Sequence, residues 1–214
     1  MPRTETQTRQ LFDEWAASYD ADLIEASGPL LGYTQSVAAI DGSLPIEGAA
    51  RVLDVGTGSG TIAARFAGQG AHITGIDPSA RMLGLCREQH PDFALSLGTF
   101  NDIPLADATF DAVVSGFAFH ETFLPTRGAV CAEIARVLKP GGCLCLLDIM
   151  FASDAAMQAA REHIGAGWDD DEDYAIVGEL DTLLRQAGFT ALRWTQTAPF
   201  HWLVTARKGE GYGI

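Results

Sequence analysis

Residues 51–60 read Arg51-Val52-Leu53-Asp54-Val55-Gly56-Thr57-Gly58-Ser59-Gly60. Val52, Leu53 and Val55 make a short apolar run of the kind that forms a buried parallel strand. Three glycines follow at alternate positions. Behind them Thr61 to Ala67 places Ile62, Ala63, Phe66 and Ala67 on one helical face. Strand, glycine turn and helix together let a ligand lie against bare backbone, because glycine takes positive φ at little cost and has no Cβ to hold the ligand off.

The spacing narrows the choice of ligand. A dinucleotide site carries G-x-G-x-x-G and sets pyrophosphate on the helix N-terminus. Here the second step is one residue shorter, Gly56-x-Gly58-x-Gly60, and Asp54 ends the strand near where the diphosphate would sit. A carboxylate there repels a diphosphate and suits a ligand with a positive end. S-adenosylmethionine (SAM) has a sulfonium, an ammonium and no phosphate. No Gly-Lys-Ser/Thr follows, which excludes a P-loop. A tight turn in some other α/β protein is the competing reading of the glycines taken alone.

Composition sets the outer bounds. At 214 residues the chain reads as a single domain with a full core. No run of 18 or more apolar residues exists, so no membrane span is expected. The polar, mixed-charge opening Met1 to Gln10 lacks the apolar core of a signal peptide, and the expected location is the cytoplasm. Cys86, Cys131, Cys143 and Cys145 have no C-x-x-C spacing and read as core residues, so neither disulfide nor metal is expected. The formal charge of −14 argues against nucleic acid and against an anionic membrane surface. Half of it is local: residues 150–188 carry nine acids and two bases. The run Trp168-Asp169-Asp170-Asp171-Glu172-Asp173 fits no calcium loop. It reads either as a solvated helix start or as a gate that attracts a cationic substrate.

Outward from the glycine turn, strand and helix alternate. Residues 7–24 read as one amphipathic helix, with Leu11, Trp15 and Tyr19 at spacing four and Phe12 alongside. A second helix follows Pro29. After the strand at 51–55 come a helix at 59–69, a strand at 71–76 ended by Asp77, and a helix from Pro78 to about Gln89. Strands at about 92–97 and 110–115 follow, then a helix at about 125–138 broken by Lys139-Pro140-Gly141-Gly142. A fifth strand at 143–149 ends at Asp148. Helices at about 153–165 and 173–187 lead to two strands at about 189–197 and 199–207, close enough for a hairpin. Gly209 to Ile214 reads as a frayed tail. The pattern gives a doubly wound, mostly parallel α/β sheet of Rossmann-like type with a C-terminal antiparallel hairpin. Residues 1–45 form a helical cap, 46–208 the core, and 150–175 an insertion on the substrate side. Asp54, Asp77, Thr99 and Ser115 all fall at or just past strand ends, where ligands bind in such sheets. Asp77 lies 23 residues after Asp54, near the ~20 expected of an acid on ribose hydroxyls; an ordinary helix cap is the alternative. Met82 either closes over an adenine or packs.

These motifs together resemble the class I SAM-dependent methyltransferases. Val52 to Gly60 resembles that family's first motif, and Gly75-Ile76-Asp77-Pro78-Ser79 with Met82-Leu83 its ribose motif. Ile103-Pro104-Leu105 with Phe110-Asp111, and Ala135 to Gly142, resemble the segments around its later strands. Phe12-Asp13-x-x-Ala16-x-x-Tyr19-Asp20 resembles the opening of small bacterial members. The resemblance spans nearly the whole chain. It implies a seven-stranded sheet, SAM as cofactor and methyl transfer to an acceptor. The glycine loop, Gly56, Thr57, Gly58 and Gly60, would contact the methionine part, Asp54 its ammonium, Asp77 with Pro78 and Met82 the ribose and adenine side, and Tyr19 would cover the methionine end. The family often has Gly-Asp-Ala after the third strand; here Gly98-Thr99-Phe100 stands there, so Thr99 offers an uncharged contact and Asp102 is a possible substitute.

Methyl transfer asks mainly for alignment, and a base only where the nucleophile arrives protonated. His120, just past the fourth strand and beside Glu121, is the one candidate near the cleft. His201 reads as a packed ring, and His72, His90 and His163 have no supporting context. The expected function is methylation of a small-molecule acceptor, with no nucleic-acid or membrane partner. A SAM-binding sensor without turnover is the alternative from another class. An NAD-dependent oxidoreductase is opposed by Asp54 and the glycine spacing.

Overall fold

A computed structural model describes residues 3–24, 27–46 and 48–210. Two helices lead, α1 (Glu5–Trp15) and α2 (Tyr19–Ile24), then a 3₁₀ turn at Gly28–Leu30 and α3 (Tyr33–Ala38). The helix expected over 7–24 is therefore two. Trp15 Nε1 and Ser18 Oγ both donate to Asp22, at 2.6 and 2.7 Å, and such local side-chain bonds compete with a continuous helix. The helix expected after Pro29 is interrupted at Gly32, which takes φ +92°.

The repeat then runs β1 (Arg51–Val55), α4 (Thr61–Ala67), β2 (His72–Asp77), α5 (Ala80–Gln89), β3 (Ala94–Leu97), β4 (Phe110–Gly116) and α6 (Arg127–Val137). It continues with β5 (Leu138–Phe151), α7 (Asp154–Ile164), β6 (Ala175–Ile176), α8 (Val177–Gln186), β7 (Phe189–Ala198) and β8 (His201–Lys208). The sheet order is β3-β2-β1-β4-β5-β8-β7, with β6 beside β5 off that path. Pairs from β3 to β5 are parallel, and β8 runs antiparallel to both β5 and β7. This is the expected doubly wound sheet with its closing hairpin. The eighth strand, β6, pairs Ala175 and Ile176 with Met150 and Phe151; two residues are too few to carry a pattern. β5 starts five residues before the expected 143, because Leu138 pairs with Phe110 across a bulge and Gly141 turns through φ +73°.

Alternate residues of β1 serve opposite faces. Leu53 and Val55 pack with α6 and α8 through Ile134, Leu180 and Leu184. Val52 packs with α3 and α4 through Val37, Ile62 and Phe66. Cover on both faces is what a parallel sheet requires, and it leaves the strand ends as the place for a site. The order reverses between β1 and β4, so a crevice opens beyond their carboxyl ends. All four cysteines are buried and unpaired. Among the described residues no helix is long and apolar enough to cross a membrane. Of the expected tail, residues 211–214 lie outside the described residues.

Candidate active site

The loop after β1 folds back on the end of β2. The N–H groups of Gly56 and Thr57 both donate to Ile76 O, at 2.9 and 3.0 Å. Gly58 N donates to Asp77 Oδ2 at 3.0 Å and Ser79 N to Asp77 Oδ1 at 2.8 Å. The cap of α5 is Ser79, whose Oγ accepts from Met82 N at 3.0 Å, so Asp77 is not the helix cap. Gly56, Gly58 and Gly60 hold φ of +72°, +53° and +92°. A Cβ on Gly56 would collide with Ala118, and one on Gly60 would lie 2.6 Å from the His90 ring. One on Gly58 would meet nothing nearer than Met82 Cε at 3.4 Å: that glycine borders open space.

The open space is a cleft of about 870 Å³ including its mouth. Of the residues expected to bind cofactor, Tyr19, Gly56, Gly58, Asp77, Pro78, Met82, Thr99 and Phe100 line it. Asp54, Thr57, Gly60 and Ser115 do not; they stand behind it. Thr57 Oγ1 donates to Asp54 Oδ2 at 3.0 Å, and Ser115 Oγ donates to Val55 O at 2.7 Å, tying β4 to β1. Asp54 is 0% exposed and its Oδ1 has no hydrogen-bond partner among the described residues. Burial pushes its carboxyl up to about 7, against the Thr57 hydroxyl. Burial likewise raises Asp77 to about 6, against the amides of Ser79 and Gly58. In the loop after β3, Asp102 is exposed and does not line the cleft. The carboxylate beside that loop is Glu5 of α1, which accepts from Asn101 Nδ2 at 3.1 Å.

A second cavity, about 860 Å³ with its mouth, adjoins the first. Arg3, Phe12, Tyr19, Phe117 and Glu121 line both. Phe117 holds φ +55°, an uncommon backbone for a bulky residue, and packs against Tyr33 and His201 at 4.8 Å. His120 lines this second cavity and not the first. Its Nδ1 is 2.6 Å from Asp148 Oδ1. Asp148 Oδ2 accepts from the amides of Phe119 and His120 at 2.6 and 3.0 Å. Burial pulls the His120 imidazolium down, but Asp148, Glu172 and Glu121 outweigh it and push it up to about 10. In this state His120 keeps its proton at neutral pH. His201 is buried, bonded to Ser36 Oγ and Pro29 O at 2.9 Å each, and lines neither cavity.

Three groups escaped the sequence reading. Phe12 was visible as an apolar partner of Tyr19 but not as a wall shared by two cavities. Asp148 marked a strand end without declaring a partner. Arg3 carries no local signal; it reaches Glu121 (3.1 Å), Glu172 (3.7 Å) and Asp169 across the fold.

The donor set fits SAM. Arg3 is the one base among the residues lining the first cleft, against the acids Glu5, Asp77 and Glu121. A phosphate ligand would lack counter-charge there, whereas a cationic one would not. Gly58 leaves the cradle that a Cβ would narrow.

A model described as "methyltransferase domain" matches residues 53–146. An uncharacterized methyltransferase of Geobacillus sp. (strain WCH70) is 30% identical over 206 residues, covering 92% of this chain and 96% of that one. A Haloferax volcanii methyltransferase, solved with a methyltransferase activator, superposes with TM-score 0.77 at 22% identity, over 96% and 99% of the two chains. A SAM-dependent methyltransferase of Thermotoga maritima gives 0.73 at 19%, over 94% and 99%. The solved structures share the fold. The Geobacillus likeness spans nearly all of both sequences, and on it the chain belongs to the class I SAM-dependent methyltransferase family.

Proposed function

We propose that this chain binds SAM in the first cleft and transfers its methyl group to a small-molecule acceptor held in the second cavity. The observation that carries the reading is the shared wall: two cavities that meet at Phe12, Tyr19, Phe117, Arg3 and Glu121. One is backed by the glycine turn and Asp77, the other by His120 and an acidic loop. When bound, SAM supplies a methyl carried on a sulfonium.

The chain's own groups do the holding. Asp77 has lone pairs left after its two amide bonds and would accept the ribose hydroxyls. The backbone at Gly56 and Gly58 would lie against the methionine part, and Tyr19 and Phe12 would close over it and keep water out. Asp54, behind the wall, fixes Thr57 and so the shape of the turn. His120, protonated and aimed into the second cavity, would donate a hydrogen bond that orients the acceptor. In this state it cannot take a proton, so the acceptor would present a lone pair already free. Enclosure by α1, α2 and the 150–175 insertion favours a small acceptor, and the −14 charge disfavours nucleic acid.

The test is incubation of the full chain with methyl-labelled SAM and a panel of small amines, phenols, thiols and carboxylic acids, read by mass spectrometry. A labelled small-molecule product supports the reading. SAM binding with no product from any class would favour a sensor that does not turn over.

A further inference from the structure

We propose that His120, Glu121 and Glu172 form a binding site for a divalent transition-metal ion in the second cavity. Each offers one ligand atom, and the three atoms lie within 4.8 Å of one another. His120 Nε2 is 3.8 Å from Glu172 Oε1 and 4.0 Å from Glu121 Oε1. A small closure of the side chains brings all three onto one ion at the ~2.0–2.2 Å of nitrogen and oxygen ligands.

The histidine is built as a ligand. Its ring is 6% exposed, yet among the described residues Nε2 makes no hydrogen bond and lies on the cavity side. Nδ1 is committed to Asp148, whose carboxylate is itself locked by the amides of Phe119, His120 and Ile149. A carboxylate behind the imidazole fixes tautomer and ring orientation, the outer-shell pattern of metal-binding histidines. A metal ion would replace the Nε2 proton, which is released to solvent, and would take its place opposite the carboxylate oxygens of Glu121 and Glu172.

The frame is also built. His120 and Glu121 sit on a 3₁₀ turn, Phe119–Glu121, just past β4. Glu172 comes from the loop before β6. One bond clips that loop to the turn, Asp173 N to His120 O at 3.1 Å, and a second to the chain just past it, Leu124 N to Asp173 Oδ2 at 2.8 Å.

Arg3 is the rival cation. Its guanidinium is shared among Glu121, Glu172 and Asp169 and faces the same cavity. Arg3 and the protonated His120 stand against Glu121, Glu172, Asp169 and Asp148, which leaves the cluster electronegative, and an arriving ion would displace Arg3 from Glu121 and Glu172 while Asp169 could keep it. One imidazole nitrogen with two carboxylate oxygens favours manganese, iron or zinc over magnesium and calcium, which prefer all-oxygen sites. An ion with its remaining positions facing the cavity would hold an acceptor by an oxygen or nitrogen donor. That role, unlike the site, rests on the methyl-transfer reading.

The test titrates metal-free full-length protein with Mn²⁺, read by electron paramagnetic resonance, and with Zn²⁺, read by calorimetry. One ion per chain is expected, weakened at least tenfold by Glu172→Gln and by His120→Gln. Asp170→Asn removes the same charge from the same acidic run, but Asp170 pairs with Arg161 at 2.7 Å, so affinity should stay unchanged. Arg3→Ala covers the case in which the guanidinium outcompetes the ion, and should bind at least as tightly as wild type. Absence of one-to-one binding in both wild type and Arg3→Ala, each shown folded by circular dichroism, overturns the site. Equal weakening by Asp170→Asn also overturns it, since it marks diffuse attraction. A parallel SAM titration reports on the first cleft alone, so SAM binding without metal binding sinks this site and leaves the methyl-transfer reading standing.

Discussion

Asp54 is a carboxylate at 0% exposure whose Oδ2 accepts from Thr57 Oγ1. Its folded-state value of about 7 lies above the ~3.9 of an unfolded aspartate. The folded chain therefore holds a proton that the unfolded chain has lost, and stability falls as pH rises through that window. Asp54→Asn removes this dependence while keeping an acceptor for Thr57. From pH 4 to 7 the wild type should lose up to about 1.4 kcal/mol per pH unit relative to the variant. Denaturant melts at pH 5 and pH 8 check this: the variant's advantage should be larger at pH 8, and an advantage that shrinks toward pH 8 would contradict it. At this scale the glycine turn was legible because its constraints are local. Three positive φ angles follow from three glycines, and Asp77 from the strand end. The withdrawal of Asp54, Gly60 and Ser115 behind the wall was not legible, since it depends on His90, Cys86 and Val55 closing in from elsewhere.

At the scale of elements, α1 and α2 are latched across the first cleft by carboxylates. Asp13 accepts from Ser79 Oγ at 2.6 Å and Asp20 from Ser59 Oγ at 2.6 Å and Gln89 Nε2 at 2.9 Å. These bonds join the two helices to both ends of α5 and to the glycine turn, the walls that would hold the cofactor. Asp13→Ala with Asp20→Ala should weaken SAM binding about tenfold, or ~1.4 kcal/mol, mainly through faster dissociation in stopped-flow displacement. An unchanged dissociation rate would uncouple the two helices from the cofactor. The periodicity of Leu11, Trp15 and Tyr19 showed that the segment is helical and amphipathic. It could not show the break before Tyr19, because that break is held by polar bonds from Trp15 and Ser18 to Asp22, which the apolar spacing does not record. The early start of β5 and the two residues of β6 escaped for a related reason: both exist through pairing with a distant strand and not through any pattern of their own.

At the scale of the molecule, the sheet brings together groups that the sequence keeps far apart. Arg3, His120, Glu121 and Glu172 meet at one cavity, with Asp148 behind His120, and Tyr19, Gly58, Asp77 and Phe100 at the next. Alternation of strand and helix told of the fold and of the crevice at the strand ends. The second cavity beside that crevice is lined from the N-terminal helices, the turn after β4 and residues 167–172; the sequence pointed to the 150–175 segment as the substrate side, and the walls took shape with the packing. The central claim is that the first cleft holds SAM through Asp77 and the glycine turn. Calorimetric titration of ligand-free protein with SAM, with NAD as control, tests it most directly, on wild type, Asp77→Asn and Asp77→Ala. Micromolar binding of SAM, no binding of NAD, and a loss of at least tenfold in Asp77→Ala (about 1.4 kcal/mol) are predicted. Folded, ligand-free wild type that ignores SAM, or an Asp77→Ala variant that binds it as tightly as wild type, would contradict the account.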